Sequence, residues 1–234
     1  LLLIRGLGHS GTTILDLALG AHSRIFGLGE AIRILQKPAA NEASGVPARL
    51  RGTLLHSRRC SCGQVASQCP IWGDVLTWLP HNDDRRLSEK LQHLLARVDE
   101  HKRHAPPQPE WIVESFQSDL EIPFEPIPDI EIRIIFLVRD VRSWVHSRAA
   151  DAEKRGKPFP RLRTLARWTR TNLRFQQELQ RCKRPVFLLG YEQFALNPEA
   201  YLSQICQWLG LELEPNMLQP GNSSTSHILA GNRM

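Results

Sequence analysis

The chain has 234 residues, 41% hydrophobic and 23% charged, with a formal net charge of +6. That length suits one well-cored domain carrying an insertion, and the composition excludes wholesale disorder. The positive balance favours anionic partners such as a nucleotide or an acidic glycan. Zinc-finger spacing, an aromatic-rich sheet motif and a basic tail are missing, which argues against nucleic acid. No apolar run reaches membrane-spanning length and no secretory leader is visible.

The chain opens on an apolar run, Leu1–Ile4, which predicts a buried strand over Leu1–Gly6, and a helix is expected over Thr12–Leu19. Between them Gly6 and Gly11 bracket four residues, as in the phosphate loop G-x4-G-K-[ST], but Thr12 stands where that loop has lysine. Glycines at 6, 8 and 11 let backbone N–H groups approach an anion, and a helix N-terminus adds free donors and a favourable dipole. Gly8, His9, Ser10, Gly11, Thr12 and Thr13 are the candidate anion-binding residues. Without the lysine, and with no aspartate at a following strand end to hold a metal, the loop is poorly equipped for metal-assisted cleavage between β- and γ-phosphates. A second strand, Ile25–Leu28, ends in a Gly-Leu-Gly-Glu turn that sets Glu30 at the same sheet edge.

From Glu30 to Trp111 the pattern changes. Asn41–Arg51 reads as loop, Leu87–His101 as helix, and Arg103–Pro109 as the polar, proline-rich connection that closes an insertion. Residues 41–108 are therefore expected to form a mostly helical cap over the sheet's ligand edge, within one domain spanning 1–234. Cys60, Cys62 and Cys69 lie close together with His56 upstream, which could form a Cys3His metal site. Their spacing is not the paired C-x2-C of common zinc sites, so a local disulfide or reduced, packed thiols is expected and no metal ligand set is assigned. Cys182 and Cys206 read as ordinary buried residues.

Strands are expected over Trp111–Glu114 and Ile132–Val138, the latter carrying the continuous apolar run Ile134–Val138, as in a parallel sheet covered on both faces. It stops at Arg139-Asp140, so Arg139 sits at a strand's carboxyl end, where open α/β sheets place ligands. Ser147 follows on the next helix, Val141–Lys154. An arginine fork with a hydroxyl suits a phosphate monoester. In the helix Leu162–Gln180, Arg163, Arg167, Arg170 and Arg174 form one stripe, with Leu165, Trp168, Phe175 and Leu179 opposite. A solvated basic face is the default there, and a landing strip for a polyanionic acceptor the alternative. The strand Val186–Leu189 and the helix Pro198–Leu209 complete an α/β fold, a parallel sheet with helices on both faces.

These elements resemble the sulfotransferase family, in its bacterial type related to the tyrosylprotein and carbohydrate sulfotransferases. Gly6-x-x-x-Ser10-Gly11-Thr12-Thr13 looks like its 5′-phosphosulfate loop and Arg139-x7-Ser147 like its 3′-phosphate site. Ala21–Glu30 is similar to its HP-x-I-x-x-x-GE segment, Trp111–Ser115 to its V-D-S-S strand, Gly190–Phe194 to its Y-E-D-L element, and Ser226–Met234 to its terminal SH-x-x-x-GN-x-M loop. The resemblance implies a P-loop-type parallel sheet and metal-independent transfer of a sulfonyl group from 3′-phosphoadenosine-5′-phosphosulfate (PAPS) to a hydroxyl or amine. It further implies that Arg233 joins Arg139 and Ser147 on the 3′-phosphate. For that mechanism His9 is the best local candidate to donate to the leaving oxygen, and Glu30, at the same sheet edge, is taken as the base, with His227 as a further candidate. The acceptor class implied is a small molecule, saccharide or peptide, and a cytoplasmic location is expected, with an N-terminal anchor ahead of the first strand left open. Two positions depart from the family pattern, His9 and Gln117, where many members carry cations. The alternatives are a nucleotide kinase-like phosphoryl transferase and a relative that binds nucleotide or glycan without turnover.

Overall fold

The run Leu1–Ile4 alternates between two buried faces, because successive strand residues point to opposite sides of a sheet. Leu1 and Leu3 join one apolar cluster, Leu2 and Ile4 another. In the computed structural model, which describes residues 1–38, 46–103, 108–220 and 226–231, this run forms β1 (Leu2–Gly6) at the centre of a five-stranded sheet. In chain order come α1 (Thr12–Leu19), β2 (Ile25–Gly27), α2 (Ala31–Leu35), α3 (Val46–Arg51), α4 (Trp72–Trp78), α5 (Leu87–Lys102), β3 (Trp111–Glu114), β4 (Arg133–Val138), α6 (Val141–Lys154), α7 (Arg161–Arg181), β5 (Val186–Gly190), α8 (Tyr191–Leu196) and α9 (Pro198–Leu209). The strand order is β2-β3-β1-β4-β5 and every pairing is parallel.

One face of the sheet packs on α1 and α9 through Leu15, Leu19, Leu202, Ile205 and Leu209. The other packs on α4, α5 and α7 through Trp72, Val75, Leu91, Leu94, Val98 and Phe175. The described part of the expected cap is thus largely helical, and its apolar side chains are continuous with the core beneath one sheet face. Of α7's expected apolar face, Phe175 and Leu179 are buried and Leu165 is exposed, while all four stripe arginines are exposed. Behind β5 the second face stays open. Leu188 is 69% exposed, and a cavity of about 890 Å³ separates β5 from α7. Among the described residues no helix is long and apolar enough to cross a membrane.

The strand ends carry buried charge. Arg5, fully buried in β1, donates to Glu114 Oε2 at 2.9 Å and to Asp119 Oδ2 at 2.8 Å. Glu114 Oε1 in turn accepts the N–H groups of Ile32 and Phe116. One ionic cluster therefore ties the ends of β1 and β3 to the start of α2. The segments leaving β1 and β3 carry the phosphate loop and Ser115–Gln117, and Glu30 directly precedes α2.

Candidate functional site

Register places the site. Gly6 of β1 pairs with Leu137 of β4, so the loop at 7–11 and Arg139 leave adjacent strands side by side. The loop then turns through two left-handed residues, His9 at φ 72° and Gly11 at φ 93°. Left-handed geometry disfavours most side chains but is met more often by histidine. A Cβ on Gly11 would fall 2.4 Å from the Tyr191 ring, so this position requires glycine twice over.

Three loop carbonyls are tied back. Ser10 N–H donates to Leu7 O, Trp144 Nε1 to Gly8 O at 2.7 Å, and Arg139 Nη1 to His9 O at 3.0 Å. The N–H groups of Gly8, His9 and Gly11 take no backbone partner among the described residues, and the first turn of α1 contributes the free donors every helix start has. Such a concavity of N–H groups beside a helix N-terminus suits an oxyanion. Ser10 Oγ is buried and, among the described residues, without a hydrogen-bond partner. Gln117 packs its amide nitrogen against Gly8, and its buried Oε1 is likewise unpartnered. Thr12 is buried and Thr13 half-buried at the first turn.

Arg139 is only 20% exposed and is engaged through Nε and Nη1. Besides His9 O it donates through Nε to Ser143 Oγ at 3.0 Å, and its guanidinium lies 4.4 Å from the Tyr191 ring centroid. Its own carbonyl accepts from Trp168 Nε1, which anchors α7 to the strand end. Ser143 also donates to Glu192, whose carboxylate accepts the Asp140 N–H. Ser147, one turn beyond Ser143 on α6, is half-buried, and its hydroxyl makes no hydrogen bond among the described residues. Arg233 lies outside the described residues.

Sequence reasoning missed a cation at His9. Arg148 Nη1 on α6 lies 2.8 Å from His9 Nε2. Arginine can only donate, so Nε2 accepts and the ring proton sits on Nδ1. Burial first, and Arg148 second, hold the His9 pKa below the usual histidine value. Position 148 lies 139 residues along the chain and had no local signal.

Glu30 precedes α2, with its N–H on Ala230 O and its Oε2 accepting from Arg33 at 2.9 Å. It is 8% exposed. His227 is not at the phosphate loop. Its Nδ1 lies 3.1 Å from Cys69 Sγ and its ring stacks on Phe26. His56 instead bonds Ser67. The five cysteines are free thiols.

Beneath the loop, Asp16 is buried, accepts from Ser115 Oγ and leaves Oδ1 unpartnered. Burial lifts its pKa from 3.8 to about 7. The folded chain therefore keeps a proton that the unfolded chain has lost between those values. Stability falls as pH rises through that window, and the penalty is complete above pH 7. Asp16→Asn cannot ionise, so it should match the parent near pH 4 and exceed it at pH 8 by on the order of 2–4 kcal/mol, at roughly 1.4 kcal/mol per pH unit of the window. Urea titrations at the two pH values measure this. An equal difference at both would show that Asp16 is ionised in the folded protein.

The sequence matches the model of the sulfotransferase family over residues 2–215. No curated protein matches it at a significant level. Among solved structures, the sulfotransferase domain of the Synechococcus PCC 7002 olefin synthase is similar with a TM-score of 0.59 at 18% identity, over 95% of this chain and 77% of that one. The sulfotransferase domain from the curacin biosynthetic pathway gives 0.55 at 18%, over 95% and 77%. A sulfotransferase of Mycobacterium tuberculosis H37Rv gives 0.53 at 17%, over 94% and 69%. At these identities the structures support the fold, and the family match spans most of the chain: this protein is a member of the sulfotransferase family.

Proposed function

We propose that the protein transfers a sulfonyl group from PAPS to a hydroxyl or amine of an acceptor. The observation that carries the reading is the phosphate loop itself, with its carbonyls tied back, the N–H groups of Gly8, His9 and Gly11 without a backbone partner among the described residues, and Arg139 at the adjacent strand end. The loop's N–H groups with Ser10, Thr12 and Thr13 hold the 5′-phosphosulfate. Arg139, Ser147 and Arg233 hold the 3′-phosphate, with Arg139 reaching it while it braces His9 O.

The acceptor oxygen attacks sulfur, the bond from sulfur to the bridging phosphate oxygen breaks, and adenosine 3′,5′-bisphosphate leaves. Charge grows on that bridging oxygen, and a preorganised donor aimed at it lowers the barrier. His9 offers Nδ1–H because Arg148 occupies Nε2, and Arg148 returns a cation to the place where the family pattern has one. Glu30 takes the acceptor proton. Gln117 supplies a neutral amide beside Gly8 in place of a lysine. The segment 41–108 is read as the cap that bounds the acceptor side.

The test is incubation with sulfur-labelled PAPS and a panel of phenols, saccharides and tyrosyl peptides, followed by mass spectrometry. Label in an acceptor with stoichiometric release of the bisphosphate is expected. Donor binding without turnover on any class would favour the non-catalytic relative, and tight, magnesium-dependent ATP binding would favour phosphoryl transfer.

A further inference from the structure

We propose that Cys60, Cys62, Cys69 and His227 bind a structural zinc ion that clamps the C-terminal loop onto the segment between β2 and β3. Their four ligand atoms lie within 4.8 Å of one another. Cys62 Sγ and Cys69 Sγ are 3.9 Å apart, and Cys69 Sγ and His227 Nδ1 are 3.1 Å apart. A tetrahedral zinc with Zn–S bonds of about 2.3 Å requires ligand separations of roughly 3.8 Å, so the cluster needs only small adjustments to close on an ion. Three soft sulfurs and one imidazole in a closed site select zinc over hard cations.

The backbone explains why an irregular spacing converges. Arg59 and Val65 pair as an antiparallel bridge, Cys60 N–H donates to Gln64 O, and Gly63 N–H donates to Cys60 O with Gly63 at φ 88°. This tight turn brings Cys60 and Cys62 to one side, and Cys69 follows after a short 3-10 turn. The fourth ligand comes from 158 residues away rather than from neighbouring His56. His227 is pinned before any metal arrives. Its N–H is on Gly27 O, its carbonyl accepts from Trp72 Nε1, and its ring lies between Phe26 and the edge of His101. Cys60, Cys69 and His227 are buried, while Cys62 is exposed and gives the ion a way in.

The clamp has a reason to exist. Residues 226–231 form no regular helix or strand of their own. They are held by Ser61 N–H on Ile228 O, Arg58 Nε on Leu229 O, and the Glu30 N–H on Ala230 O. An ion bound through His227 and the three cysteines would fix this loop covalently to the turn at 60–69, and through Ala230 would steady Glu30. On binding, three thiols release their protons to solvent as zinc–thiolate bonds form. The inference does not depend on the donor or acceptor.

The full chain, purified without a polyhistidine tag or chelator and under reducing conditions, should carry one zinc per chain by inductively coupled plasma mass spectrometry. Replacing zinc with cobalt should give the thiolate charge-transfer bands and the intense d–d bands of a tetrahedral site. The pair Cys60→Ser with Cys62→Ser should abolish stoichiometric binding, whereas Cys182→Ser should retain it. Should the double variant fail to fold, the parent's zinc content and cobalt spectrum decide alone. A folded parent that carries no zinc and takes up neither metal, or one with a Cys62–Cys69 disulfide, would overturn the proposal.

Discussion

Arg5→Met should destabilise the protein by about 3–5 kcal/mol at neutral pH, the usual cost of removing one partner from a buried ionic cluster. Arg5 is the cation between Glu114 and Asp119, both buried. Burial already pushes the Glu114 pKa up to about 7 against the opposing pull of Arg5. Without the guanidinium the Glu114 carboxyl favours the protonated form still more strongly in the folded chain than in the unfolded one. The deficit should therefore be largest above pH 7 and shrink as pH falls toward the ordinary carboxylate range. Urea unfolding of the variant at pH 8 and pH 5 measures both quantities. A deficit below about 1 kcal/mol, or one that grows on acidification, would mean the cluster is not ionic in the folded state. Because Glu114 also holds the N–H groups of Ile32 and Phe116, the variant that survives should lose turnover as well.

Glu30→Gln should lower turnover by about 10²–10⁴-fold, the range typical of a positioned general base, with donor affinity nearly unchanged. The amide keeps the side chain's shape and a contact with Arg33 while removing the proton acceptor. Glu30 stands at the end of β2, two strands from β1 and separated from the loop by β3, so its loss should leave the nucleotide site intact. Single-turnover rates with saturating donor separate the two effects. A variant within a few-fold of the parent would remove Glu30 as base. His227 then offers no ready substitute, since its Nδ1 faces Cys69. For His9 the informative change is to glycine rather than alanine, because glycine keeps the left-handed backbone at φ 72° while removing the ring.

Local features of this molecule were legible and non-local ones were not. The apolar runs Leu1–Ile4 and Ile134–Val138 announced strands buried on both faces, and the glycines at 6, 8 and 11 announced the loop, because each signal lies within a few residues. The short helices α2, α4 and α8 carried too few turns to show a helical period. Arg148 beside His9 and His227 beside Cys69 are brought together by the sheet's crossovers and by the return of the C-terminal loop, which spacing cannot encode. Proximity along the chain therefore pointed to His56, while the fold supplied His227. Arg5 carried no signal of its own, since nothing nearby in sequence disclosed that two acids from the β3 end would bury it.

The most direct measurement of the central claim is a calorimetric comparison of adenosine 3′,5′-bisphosphate with 5′-AMP, for the parent and for Arg139→Ala. Arg139 braces His9 O, and in the proposed function it also holds the 3′-phosphate. A loss common to the two ligands reports the brace, and the difference between them reports the phosphate contact. The account predicts magnesium-independent binding of the bisphosphate, far tighter than AMP. It also predicts an Arg139→Ala loss of roughly 1.5–3 kcal/mol for the bisphosphate, typical of charge-assisted hydrogen bonds, and a much smaller one for AMP. Equal losses for both ligands, or a parent indifferent to the 3′-phosphate, would contradict it.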